Sequence, residues 1–134
     1  MKTKFVYVGI RVTDMAKSID FYTKVLGMKM VGKSRIEATK GDVVTLAYDE
    51  QEFSLELNHY DNDSPFNTRY LVGEGLDHLA FGVKDLDQAV ADAKRAGYPV
   101  VQQLKTASSR WLYVQDPDGI WIELFDRVDF WGSQ

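Results

Sequence analysis

The sequence predicts an α+β fold built from tandem βαβββ modules, and three observations carry that prediction. Val6-Tyr7-Val8-Gly9-Ile10-Arg11-Val12-Thr13-Asp14 and Asp77-His78-Leu79-Ala80-Phe81-Gly82-Val83-Lys84-Asp85 follow one template, starting at positions 6 and 77. Each copy runs from an alternating apolar strand into an amphipathic helix that opens at an Asp. Each later carries a carboxylate on a strand, Glu56 in Phe53-Ser54-Leu55-Glu56-Leu57 and Glu123 in Ile120-Trp121-Ile122-Glu123-Leu124.

Residues 5–12 alternate, with Val6, Val8, Ile10 and Val12 on one face and Phe5, Tyr7, Gly9 and Arg11 on the other, the pattern of a half-buried strand. Asp14 can cap the next helix, where Met15, Ile19, Tyr22 and Leu26 form an apolar stripe and Gly27 stops it. Apolar stretches at 28–32, 43–48 and 52–59 read as three strands, with the charged segment 35–42 as a polar loop. Asp61-Asn62-Asp63-Ser64-Pro65-Phe66-Asn67 is the densest cluster of turn formers in the chain. It reads as the start of a linker at about 61–73, between modules at about 4–60 and 74–127 of a single domain, 1–134.

The second copy repeats the order. A strand at 76–83 leads into a helix at 85–96, with Asp85 and Gln88 spaced as a capping box and Leu86, Ala89, Val90 and Ala93 on one stripe. Gly97 ends it, and strands near 99–104, 110–115 and 120–126 follow. The last two are joined by Asp116-Pro117-Asp118-Gly119, a strong turn signal.

Composition narrows the chemistry. The chain of 134 residues is 45% apolar and 13% aromatic, enough for one compact domain. No run reaches the roughly 18 apolar residues of a membrane span, and Met1-Lys2-Thr3-Lys4 leads straight into a strand, so a cytoplasmic protein is expected. The absence of cysteine removes thiolate nucleophiles and thiolate metal ligands. A net charge of −4 without a basic cluster argues against nucleic acid and anionic membrane and leaves a small molecule as the expected partner.

If the apolar side of each first strand lies under its helix, Tyr7 and His78 face the other way, into equivalent space. A strand His is more often structural than functional. Here small Ala80 and Gly82 beside His78, and its equivalence to Tyr7, favour a site. Glu56 by itself reads as a solvated strand carboxylate, but Glu123 shares its face with Trp121 and Phe125, and a carboxylate between aromatics needs a partner or a metal. His59 is an odd number of residues from Glu56 and reads as structural or surface. Arg11 fits a surface ion pair or an anion site equally well. Met28 and Met30 read as core or pocket lining.

Arg11 to Met28, His78-Leu79-Ala80-Phe81 and Asp116 to Leu124 together resemble the vicinal oxygen chelate superfamily over roughly residues 5–126, and within it glyoxalase I, the lactoylglutathione lyase. The resemblance implies paired modules that form a cupped half-barrel around one divalent metal ion, usually in a homodimer whose sites draw on both chains. By position, Glu56, His78 and Glu123 match metal ligands of that family, with nickel, zinc, cobalt or manganese as the expected ion. Tyr7 stands where His or Gln is usual, and Arg11 matches an arginine that meets the glutathione carboxylate. Tyr60 occupies a substrate-binding position where Asn is expected, Glu74 falls near where one branch has Arg, and 106–109 lacks the usual Lys or Gly-rich pattern.

The implied activity is a lyase or isomerase moving a proton in a 2-hydroxycarbonyl, hemithioacetal-type substrate through an enediolate, with Glu56 or Glu123 as base and Arg11, Tyr7 and Tyr60 binding substrate. The alternatives are a thioester epimerase on the same scaffold and a non-catalytic binder of the bleomycin-resistance type. A ring-cleaving dioxygenase is disfavoured because it wants a second His.

Overall fold

A computed structural model describes residues 2, 7–49, 53–73, 76, 78–105 and 110–126. The chain divides into two compact units, Met1–Tyr70 and Leu71–Gln134. Each has the expected order of strand, helix and three strands.

In the first unit β1 (Tyr7–Arg11) leads to α1 (Met15–Asp20), and β2 (Lys29–Ile36), β3 (Gly41–Ala47) and β4 (Ser54–Tyr60) complete a sheet ordered β1-β4-β3-β2. β1 runs parallel to β4 because the chain crosses over through the helix, whereas β2, β3 and β4 are antiparallel neighbours. Asp14 caps α1 as its extended backbone requires, its carboxylate accepting from the Lys17 amide at 3.0 Å. The helix then widens into a π-helical turn over Phe21–Val25, so that Phe21 and Tyr22, adjacent in sequence, are both fully buried, ring edge to ring face at 5.1 Å. The expected stripe holds Tyr22 but not Phe21. Gly27 closes the segment at φ +73°, and the Tyr48 hydroxyl donates to the Leu26 carbonyl beside it.

The charged segment 35–42 is not simply a loop. β2 continues through Ile36, a single 3₁₀ turn covers Glu37–Thr39, and β3 begins at Gly41. Arg35 lies directly across the ladder from Asp42, so the charges decorate an exposed strand end rather than mark a break.

In the second unit β5 (Leu79–Val83), α2 (Leu86–Arg95), β6 (Gln102–Lys105), β7 (Arg110–Gln115) and β8 (Trp121–Asp126) give the order β5-β8-β7-β6, again with the first strand parallel to the last. Asp85 caps α2 by accepting from the Gln88 amide at 3.0 Å. Gly97 follows the helix at φ +93°. The Asp116 carboxylate ties the last turn, accepting from the amides of Asp118 and Ile120 at 2.8 Å each.

Each unit has its own core on the helix side of its sheet. Ile10, Val44, Leu46, Leu55 and Leu57 fill the first, with Leu86, Ala93, Leu112, Val114, Ile122 and Leu124 in the second. No helix among the described residues is long and apolar enough to cross a membrane.

Candidate functional site

Register decides which side chains share the sheet face away from the helix. In the first unit Gly9 pairs with Glu56 and Glu56 with Thr45; in the second Ala80 pairs with Glu123 and Glu123 with Tyr113. The two carboxylates are therefore equivalent, and Tyr7 and His78 each stand two residues before the partner of their unit's glutamate.

In the second unit the imidazole Nε2 of His78 lies 2.9 Å from Oε2 of Glu123, within hydrogen-bonding distance, and both side chains are partly exposed. The ring of His78 meets Tyr113 edge to face at 5.7 Å, and Tyr113 meets Trp121 at 5.1 Å. Sequence reading placed Trp121 and Phe125 beside Glu123 but missed Tyr113. Counting back across the Asp116–Gly119 turn, Gln115 opposite Trp121 and Tyr113 opposite Glu123, would have found it.

In the first unit a Cβ at Gly9 would sit 3.4 Å from the Asn58 side-chain amide, 3.9 Å from Glu56 Oε1 and 4.0 Å from the Tyr7 ring. Tyr7 and Glu56 thus flank one glycine, and Tyr7 is half exposed. Asn58 was not foreseen. Its side-chain amide donates to the Ile10 carbonyl at 3.4 Å, reinforcing the β1–β4 pairing from the site side.

Arg11 lies on this face as expected, yet its guanidinium holds the segment that follows β4. It donates to the Phe66 carbonyl at 3.3 Å and the Thr68 hydroxyl at 3.0 Å, and sits 5.2 Å from the centre of the Tyr70 ring. That segment is strapped to the first unit along its length. Asp61 forms two hydrogen bonds with Arg35, at 3.0 and 2.6 Å, and the guanidinium holds its carboxyl below the usual range. Lys40 pairs with Asp63, and Ser64 donates to the Thr39 carbonyl. Tyr60 stacks on Phe66 at 5.6 Å and covers Gly41, where a Cβ would fall 2.8 Å from its ring. His59 sits across from Asp42, on the opposite face from Glu56.

The expected residues are brought together as two pairs: His78 with Glu123 in the second unit, Tyr7 with Glu56 in the first. Among the described residues no group of three His, Asp or Glu side chains gathers in a metal-holding cluster. Glu74 and residues 106–109 lie outside the described residues.

A duplicated βαβββ chain with a histidine–carboxylate pair on an open sheet face is a scaffold whose chemistry is set by that face rather than by the fold. The chain belongs to the glyoxalase/bleomycin resistance protein/dioxygenase superfamily, whose sequence pattern matches residues 4–124. It is 31% identical over 130 residues to a lactoylglutathione lyase of Neisseria meningitidis, covering 92% of this chain and 91% of that one. It is 30% identical over 131 residues to the Escherichia coli O157:H7 lactoylglutathione lyase, covering 94% of each. A lactoylglutathione lyase of Arabidopsis thaliana also matches at 30%, but this chain spans only 44% of it. Among solved structures, the trypanothione-dependent glyoxalase I of Leishmania major superposes with a TM-score of 0.77 at 31% identity, over 93% of this chain and 87% of that one. These matches support an enzyme of the lyase class.

Proposed function

We propose that the protein is a metal-dependent lyase or isomerase of the glyoxalase I type, moving a proton between adjacent carbons of a 2-hydroxycarbonyl, hemithioacetal-type substrate. The observation that carries this reading is the 2.9 Å approach of His78 Nε2 to Glu123 Oε2 on the open face of the second sheet. An imidazole nitrogen and a carboxylate oxygen turned toward each other are a donor set that suits a borderline divalent ion. Glu56, equivalent to Glu123 by register, is the third proposed ligand, and nickel, zinc, cobalt and manganese all accept such donors. A bound ion would supply electrophilic stabilisation of the substrate oxygens.

The rest falls to the chain. One of the two glutamates takes the proton from the carbon beside the carbonyl, and a carboxylate returns it to the neighbouring carbon, so no other reactant is consumed. His78 anchors, and Tyr7 and Tyr60 line the substrate side. A homodimer in the cytoplasm, with each site completed by both chains, is part of the same proposal.

A second reading, a non-catalytic small-molecule binder, is favoured by one observation. The guanidinium that would receive an anionic substrate, Arg11, is engaged with Thr68 and the Phe66 carbonyl. Metal content of protein purified with neither added metal nor chelator, followed by the same measurement on Glu56→Ala, His78→Ala and Glu123→Ala, separates the readings. The lyase predicts a stoichiometric ion, lost from the variants, and uptake of solvent deuterium by at least one 2-hydroxycarbonyl compound. Variants that keep the full metal load would sink the ligand assignment. A metal-free wild type with no exchange would leave the binder.

A further inference from the structure

We infer that the substrate of the proposed reaction carries an uncharged aromatic arm that stacks on Trp121, with the rings of Trp121, Tyr113 and His78 running from that arm to the reacting carbons beside Glu123. This inference rests on the lyase reading for the reaction, but not for the binding.

Three features of the second unit point to it. First, the rings form a continuous chain, Trp121 to Tyr113 at 5.1 Å with planes tilted by 58°, then Tyr113 to His78 at 5.7 Å and 78°. Each ring fixes the next, and Trp121, 36% exposed, stands at the outer end, open to a further ring. Second, the register places Ala80 and Gly82 on this same face, so little bulk stands over the first strand beside His78 and Glu123.

Third, no position of β6 or β7 on this face carries a charged residue, and Lys84, which follows β5 at the same parity as Ala80 and Gly82, lies beyond the strand end opposite Trp121. The face's register positions on β6 and β7 are Gln102, Leu104, Trp111, Tyr113 and Gln115. The cations of those strands, Lys105 and Arg110, stand across the ladder from each other at positions of the opposite face, where Arg110 meets Asp87 of α2 at 3.0 Å. An ionised arm laid along β6 and β7 would therefore leave water without a counter-ion on those strands, and an uncompensated charge in a partly desolvated site opposes binding. A neutral ring instead removes two apolar surfaces from water and gains the edge and face contacts that Trp121 offers. In the first unit the guanidinium of Arg11 is already turned to the strap.

The test uses the full-length, metal-supplemented protein and two ketols that differ only in the arm, 2-hydroxyacetophenone and hydroxyacetone. Their binding is measured by calorimetry and their exchange with solvent deuterium by NMR. The aromatic ketol should bind roughly tenfold more tightly to the wild type, within the range that ring stacking supplies. Trp121→Ala should erase that preference while hydroxyacetone binding stays within about twofold of wild type, and Trp121→Phe should restore most of it. Equal affinity of the wild type for both ketols overturns the inference, as does a preference that survives Trp121→Ala. If Trp121→Ala weakens both probes, Trp121→Phe decides: a phenyl ring that does not recover the preference also overturns it. Selective binding without deuterium exchange keeps the aromatic arm and removes the lyase, whereas exchange without selectivity does the reverse.

Discussion

The two units share a scaffold and differ in what they put on its open face. Both place a glutamate on the last strand of the sheet, both cap their helix with an aspartate that accepts from the third residue onward, and both follow the helix with a glycine at positive φ. The first unit surrounds its glutamate with Tyr7, Asn58 and Thr45, and spends Arg11 on fastening the segment after β4. The second surrounds its own with an imidazole and a run of aromatic rings. Backbone register is what the two units hold in common. The face chemistry can then change one strand position at a time, because alternate residues on a strand point away from the core.

The comparison predicts the largest effect in the cores, where the units should behave alike. Leu57 and Leu124 occupy equivalent register positions and are almost wholly buried. Leu57→Ala and Leu124→Ala should each cost about 2–5 kcal/mol in chemical denaturation. A gap of more than about 2 kcal/mol between them would show that one core relaxes around its cavity and the other does not.

Tyr7→His tests whether the open faces can be made alike. It gives the first unit the imidazole that the second has at the equivalent position, and metal affinity measured by competition with a chelator should rise by more than about tenfold. An unchanged affinity would mean that position 7 does not reach the proposed metal position.

The caps probe the shared local signal. Asp14→Ala and Asp85→Ala should each cost about 0.5–2 kcal/mol, with faster amide exchange confined to the first turn of the matching helix. A loss in only one unit would show that the π-helical turn after α1, rather than its cap, holds that helix in place.

The smallest effect depends on pH and belongs to the first unit. Burial pushes the Tyr48 hydroxyl from 10.0 up to about 12 while it donates to the Leu26 carbonyl. Because the folded value is raised, the contribution of the neutral phenol is fully present below pH 10 and is lost as pH climbs through about 12. Tyr48→Phe should lose about 1 kcal/mol at neutral pH. Alkaline titration of its unfolding midpoint should then lack that residue's share of the fall; an identical curve would show the hydroxyl to be solvated.

Much of this was legible in the residues themselves. Alternation over 7–11 and 79–83, the caps at Asp14 and Asp85, the stops at Gly27 and Gly97 and the Asp116–Gly119 turn are local matters, set by side-chain period and by the backbone angles each residue tolerates. They were enough for the βαβββ repeat, and for expecting that Glu56, His78 and Glu123 share one kind of face. What the chain does at a distance was another matter. The continuation of β2 through Ile36 depends on Arg35 finding Asp42 across a ladder, and the double burial of Phe21 and Tyr22 on a turn that widens to fit both. Tyr113 beside Glu123, and the guanidinium of Arg11 drawn to Thr68, depend on pairings between residues far apart in sequence. No local period encodes such pairings, because their energies arise only when separate segments meet in a fixed register.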